Sequence, residues 1–234
     1  MTRQRWIGVW QLALLTGAWV TTLVFAHGVA DSDKAFIANN PGVNIIPYIY
    51  LGAKHMVTGY DHLLFLVGVI FFLYRLKDVG VYVTLFALGH STTLIAGVYF
   101  DLHASSHIVD AIIGLSVVYK ALDNLGAYPA LLGWQPNTKA AVLIFGFFHG
   151  FGLATKLQDL AMSREGLLVN LVSFNIGVEA GQLIALSVIL LAMSVWRTTA
   201  SFGRSVVVTN TLLMCAGLVL VGFQMCGYFV AESG

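Results

Sequence analysis

His55-Met56-Val57-Thr58-Gly59-Tyr60-Asp61-His62 stands where a polar approach enters the apolar run Leu63 to Tyr74. On an α-helix of about 3.6 residues per turn, His55 and His62 share one face while Asp61 points elsewhere. A carboxylate at the centre of a bilayer costs about 3 kcal/mol even on the lenient insertion scale, and such groups face a bundle interior or a hydrated path. Imidazoles and a carboxylate at the mouth of an apolar helix therefore predict part of a polar site for a divalent metal ion.

The composition agrees with a membrane setting. Hydrophobic residues make up 58% of the 234-residue chain and charged residues 10%, with a mean hydropathy of +0.83. These values lie far outside those of a soluble domain. The expected fold is an all-α, polytopic transmembrane helix bundle with six spans, or seven if an N-terminal leader is retained. A formal net charge of +1 leaves no electrostatic footprint for nucleic acid. Cys215 and Cys226 both lie in the last apolar run, about 16 Å apart on an ideal helix, too far to bridge each other. They read as small apolar residues.

The N-terminus carries Arg3 and Arg5, an apolar stretch from Trp6 to Phe25, and a small residue, Ala26, before His27. That order matches a signal peptide over residues 1–26, with an uncleaved anchor as the alternative. Residues 27–47 form a short exposed segment containing the turn signal Asn39-Asn40-Pro41-Gly42. Within it His27, with Asp31 and Asp33 nearby, is either a solvated tail or a weak metal-binding terminus.

Residues 48–234 form the transmembrane helical domain. Pro47 suits a first helical turn. From Tyr48 to Tyr74 the chain is either one long helix or a short helix broken near Gly59 that leads into a span. The later spans are expected near Val79–Phe100, Ser106–Leu122, Thr138–Leu157, Leu167–Trp196 and Val206–Val230. With the mature N-terminus outside, the inner loops collect Arg75, Lys77, Lys120, Lys139, Arg197 and Arg204. The outer side holds Lys34, Lys54, Lys156 and Arg164, a distribution consistent with the positive-inside rule. No strict internal repeat is visible. Gly146 with Gly150 and Gly177 with Gly181 have the spacing that lets helices approach closely.

Several spans carry a polar group near their middle: His90 in Leu88-Gly89-His90-Ser91-Thr92-Thr93, His149 in Gly146-Phe147-Phe148-His149-Gly150, and Glu179 in Asn175-Ile176-Gly177-Val178-Glu179-Ala180-Gly181-Gln182. Together with His55, Asp61 and His62 they form the expected metal-ligand set. A lone buried histidine is commonly a hydrogen-bonded core residue, and interhelical hydrogen bonding or a proton relay is the bland reading of each. Three midspan histidines with two carboxylates favour a metal path. Imidazole and carboxylate suit nickel, zinc, copper(II) or ferrous iron. His107 and Asp110, three residues apart, read either as an entry site or as an interfacial polar face. Lys120 is expected to snorkel to the headgroups.

In the same order along the chain, Gly52-Ala53-Lys54-His55 to Gly59-Tyr60-Asp61-His62-Leu63-Leu64-Phe65, the His90 block, Phe145 to Gly152 and Phe174 to Gln182 resemble the HupE/UreJ family of membrane accessory proteins of hydrogenase and urease. The likeness covers about residues 45 to 195. It implies an inner-membrane permease that passes a divalent ion inward for metalloenzyme maturation. Nickel is the favoured substrate, with cobalt, copper or zinc as alternatives. The implied partners are the lipid bilayer and metalloenzyme maturation proteins. His55-x5-Asp61-His62 is also similar to the shorter His/Asp signature of nickel and cobalt permeases, though one residue longer.

The resulting expectation is a transporter and not an enzyme, with the ion captured at His55 and Asp61 and then passed among His62, His90, His149 and Glu179. One rival is an intramembrane zinc hydrolase with Glu179 as general base. Another is an assembly factor that transports nothing.

Overall fold

The computed structural model describes residues 37, 39–158 and 165–232. The leader at 1–26, His27, Asp31, Asp33, Lys34 and Arg164 lie outside the described residues. Among the described residues the chain is helical throughout: α1 (Ile45–Thr58), α2 (Tyr60–Ile70), α3 (Leu76–Phe100), α4 (Ser106–Asn124), the short α5 (Ala127–Leu132), α6 (Thr138–Gln158), α7 (Leu167–Arg197) and α8 (Ser201–Glu232).

Four of these are long and apolar enough to cross a membrane: α3, α6, α7 and α8. The other two expected spans fall short for identifiable reasons. The Tyr48–Tyr74 stretch is divided at Gly59 into α1 and α2, and α4 carries Asp110, Lys120 and Asp123.

Glycine sets how the helices pair. With lipid outside, burial of apolar surface cannot drive helices together, so close approach and dispersion do most of the work. In α1 a methyl at Gly52 would land 2.0 Å from the Phe174 carbonyl oxygen of α7, and one at Gly177 would land 2.0 Å from Ile49 O. In α3 a methyl at Gly89 would meet Leu143 O of α6 at 2.5 Å, and one at Gly146 would meet Phe86 O at 2.6 Å. Gly114 and Gly217 abut each other's backbones between α4 and α8. Both expected glycine spacings, 146/150 and 177/181, lie on these seams.

The matched positions also fix direction. Register rises together in α1/α7 and in α3/α6, so both pairs are parallel. In α4/α8, Asn124 meets Asn210 while His107 meets Gln224, so that pair is antiparallel.

Polar clamps hold the two ends of the bundle. At one end Asn170 accepts from Asn44 N at 2.8 Å and donates to Gly42 O at 2.8 Å, joining the starts of α1 and α7. At the other end Arg197, in the last turn of α7, donates to the carbonyls of Ile70, Phe71 and Leu73 and lies over the Tyr74 ring. Those carbonyls lie at and just beyond the C-terminus of α2, where a cation also complements the helix dipole. Lys120 does not snorkel. It is buried beside Gly68 and paired with Asp123. Cys215 and Cys226 are free thiols on an exposed face of α8.

Candidate metal centre

The break at Gly59 builds the centre. Gly59 adopts extended backbone (φ −75°, ψ 94°) between two helix ends. Its N–H donates to His55 O at 2.8 Å, closing α1, and its carbonyl accepts from Leu63 N at 3.1 Å, starting α2. His55 sits in the last turn of α1, the negative end of that helix dipole, and Asp61 in the first turn of α2, the positive end. Discontinuous membrane helices place half-helix ends at a site in this way. Because the helix breaks, Asp61 does not point away from the histidines as it would on a continuous helix. A methyl at Gly59 would come 2.7 Å from His62 Nδ1, so the turn requires glycine for space.

Asp61, His62 and His149 converge. Asp61 is 3% and His62 and His149 are each 1% exposed, and one ligand atom from each lies within 4.8 Å of the others. The tautomers are set by local partners. His149 Nδ1 lies 2.8 Å from Phe145 O, an atom that can only accept, so Nδ1 carries the proton and Nε2 the lone pair. Asp61 Oδ1 lies 3.1 Å from His62 Nδ1 and orients that ring likewise.

The other histidines surround this group. The His55 ring centroid is 5.2 Å from that of His62, and His90 is 6.3 Å from it. His90 is fully buried, with the Asn175 side chain beside it. Phe86 stacks on His90 at 6.0 Å and meets His149 at 5.0 Å, while Phe65 meets His149 at 5.5 Å. These rings form a dry wall behind the imidazoles. Dry, pre-oriented imidazole and carboxylate donors fit a borderline divalent ion.

One expected ligand is placed elsewhere. Glu179 is exposed and lines a cleft of about 290 Å³ with Val83, Thr84, Ala87, Leu88 and Leu183. It sits two residues after Gly177 and two before Gly181, about 200° round the helix from each. The seam glycines that press α7 onto α1 therefore turn Glu179 outward. The polar residues that α7 buries are Asn175 (6% exposed) and Gln182 (0%), and the carboxamide of Gln182 makes no hydrogen bond among the described residues.

The second polar group, His107 with Asp110, is a buried network. Asp110 accepts from Lys156 Nζ at 2.9 and 2.8 Å and from Gln224 Nε2 at 3.2 Å. Gln224 Oε1 accepts from His107 Nδ1 at 2.8 Å. Gln224 thus links His107 to Asp110.

A family model described as HupE / UreJ protein matches residues 31–232 of the chain. No curated protein and no solved structure matches it.

Proposed function

Taking as premise that the chain belongs to the HupE/UreJ family, we propose that it is a membrane permease for a divalent transition-metal ion, nickel first among the candidates, that supplies metalloenzyme maturation. The observation that carries this reading is the convergence of Asp61, His62 and His149 within 4.8 Å beside a broken helix. In this reading the chain crosses the inner membrane six times, with α1 and α2 together forming the first crossing and the mature N-terminus outside. The ion is substrate. It meets His55 and Asp61 first, loses water against the Phe65 and Phe86 wall, and is held by Asp61, His62 and His149, with His90 next in line. Several ligands in series favour passage of the ion over its trapping.

The placement of Glu179 weakens the hydrolase alternative, which needed that carboxylate as general base at the same centre. An assembly factor that transports nothing gives no reason for Nε2-presenting imidazoles in a dry pocket.

The test is uptake of radiolabelled nickel, cobalt and copper into cells or liposomes. His62→Ala and His149→Ala should each lower uptake at least tenfold, whereas Glu179→Gln should leave it within about twofold. Uptake that ignores both histidine substitutions refutes the permease.

A further inference from the structure

Two of the three helix pairs repeat each other, and the third is reciprocal with itself. Gly52-Ala53-Lys54-His55 in α1 and Gly146-Phe147-Phe148-His149 in α6 share the pattern Gly-x-x-His, and Phe86-Ala87-Leu88-Gly89 in α3 and Phe174-Asn175-Ile176-Gly177 in α7 share Phe-x-x-Gly. Their contacts correspond as well. Gly52 faces Phe174 O as Gly146 faces Phe86 O, and Gly177 faces Ile49 O as Gly89 faces Leu143 O. Gly114 and Gly217 face each other reciprocally, and the Asn124–Asn210 contact at one end of α4/α8 corresponds to the approach of His107 to Gly227 at the other.

The half made of α1–α2, α3 and α4 and the half made of α6, α7 and α8 run in opposite directions. Inverted repeats of this kind place equivalent sites on either side of a shared interface. In this register His55 corresponds to His149, and His62, seven residues on, corresponds to Lys156. The correspondence at this point is one of sequence position, because α2 is set off from α1 at Gly59 whereas α6 runs on unbroken, and it gives the second half a lysine ammonium where the first half carries an imidazole. That ammonium is clasped by both oxygens of Asp110, whose side chain is 5% exposed.

We propose that Asp110 is a second cation site, tied to the repeat through Lys156, which aligns with His62, and that the Lys156 ammonium is a built-in occupant that a divalent ion displaces. Asp110 supplies two carboxylate oxygens. Rotating the Gln224 carboxamide presents Oε1, and His107 supplies imidazole, a donor set suited to a borderline divalent ion. The pair lies about two helical turns from His149 on the same face of α6, roughly 10 Å along the axis. It is thus a staging position on the route to the centre. For that role in transport the proposal rests on the permease reading. The binding itself does not.

The test uses the full chain in detergent with Ni²⁺ as the probe, in a background carrying His62→Ala and His149→Ala so that the central site is silent. Lys156→Gln, which keeps a hydrogen-bond donor for Asp110, should raise Ni²⁺ affinity at least tenfold, and adding Asp110→Asn should return it to the parent value. Lys156→Arg should give no gain. Equal affinity with and without Lys156→Gln, or a gain that survives Asp110→Asn, overturns the proposal. Should Lys156→Gln not yield folded protein, the unsubstituted chain decides. Saturating Ni²⁺ should increase amine labelling of Lys156 severalfold, and unchanged labelling refutes the site. Failure here with normal uptake in the unsubstituted chain leaves the permease standing, whereas loss of the uptake effect at His62 and His149 does not touch this outcome.

Discussion

At Gly59 a single hydrogen in place of a methyl group keeps the centre open. Gly59→Ala would put a Cβ 2.7 Å from His62 Nδ1 and 3.0 Å from His55 O. Overpacking of that kind typically costs about 1–3 kcal/mol, which a well-buried bundle can absorb. The expected result is a chain that still purifies as a folded species by size exclusion but binds Ni²⁺ at least tenfold more weakly in calorimetry. Wild-type affinity would show that the imidazole is not held by this turn. At this scale the sequence was informative about chemistry and less so about direction. His55, Asp61, His62, His90 and His149 could be picked out because polar groups in apolar runs need a reason. Glu179 shared that signature, and its outward placement is set by the packing of α7 rather than by any pattern in the sequence. Residues whose roles depend on distant partners were not legible, such as Lys156 with Asp110.

Among the elements, α2 is the one that most needs outside support. It has 11 residues, too few to be stable alone, and the carbonyls at its far end have no helical continuation. Arg197 satisfies three of them from α7. Arg197→Ala should therefore lower the detergent-solubilised melting temperature, since each buried carbonyl left without a donor costs about 1–3 kcal/mol. Arg197→Lys should recover part of the loss, because one ammonium can serve some of those carbonyls but lacks the planar fork. Equal melting curves for Arg197→Ala and wild type would remove the clamp from this account. The sequence left the choice between one long helix and a break near Gly59 open because hydrophobic period is the same in both. Space around Gly59, invisible in the sequence, decides it. The glycine spacings in α6 and α7, by contrast, announced their seams directly.

For the whole molecule, the charge bias and helix directions place the α3/α4 connection at one end of the bundle and the α5 linker at the other. In a chain with Cys215 and Cys226 replaced by serine, His103→Cys should react with an impermeant maleimide added to spheroplasts, and Gln135→Cys should react only after lysis. Both positions are exposed loop residues. The reverse pattern would invert the orientation proposed above. A last expectation concerns ligand linkage. An ion that binds only the folded chain stabilises it by about 2.7 kcal/mol at a hundredfold excess over its Kd. Melting temperature should accordingly climb with Ni²⁺ concentration in wild type and begin to climb only at much higher Ni²⁺ in His62→Ala.

The glycine seams make this linkage more than a local matter. One parallel pair, α1/α7, flanks the strand of chain bearing Asp61 and His62, while the other, α3/α6, bears His90 and His149. Bound cargo would act as a rivet between the two blocks, in addition to the apolar core that they share. Each departure of the ion would then loosen the joint across which it had just travelled.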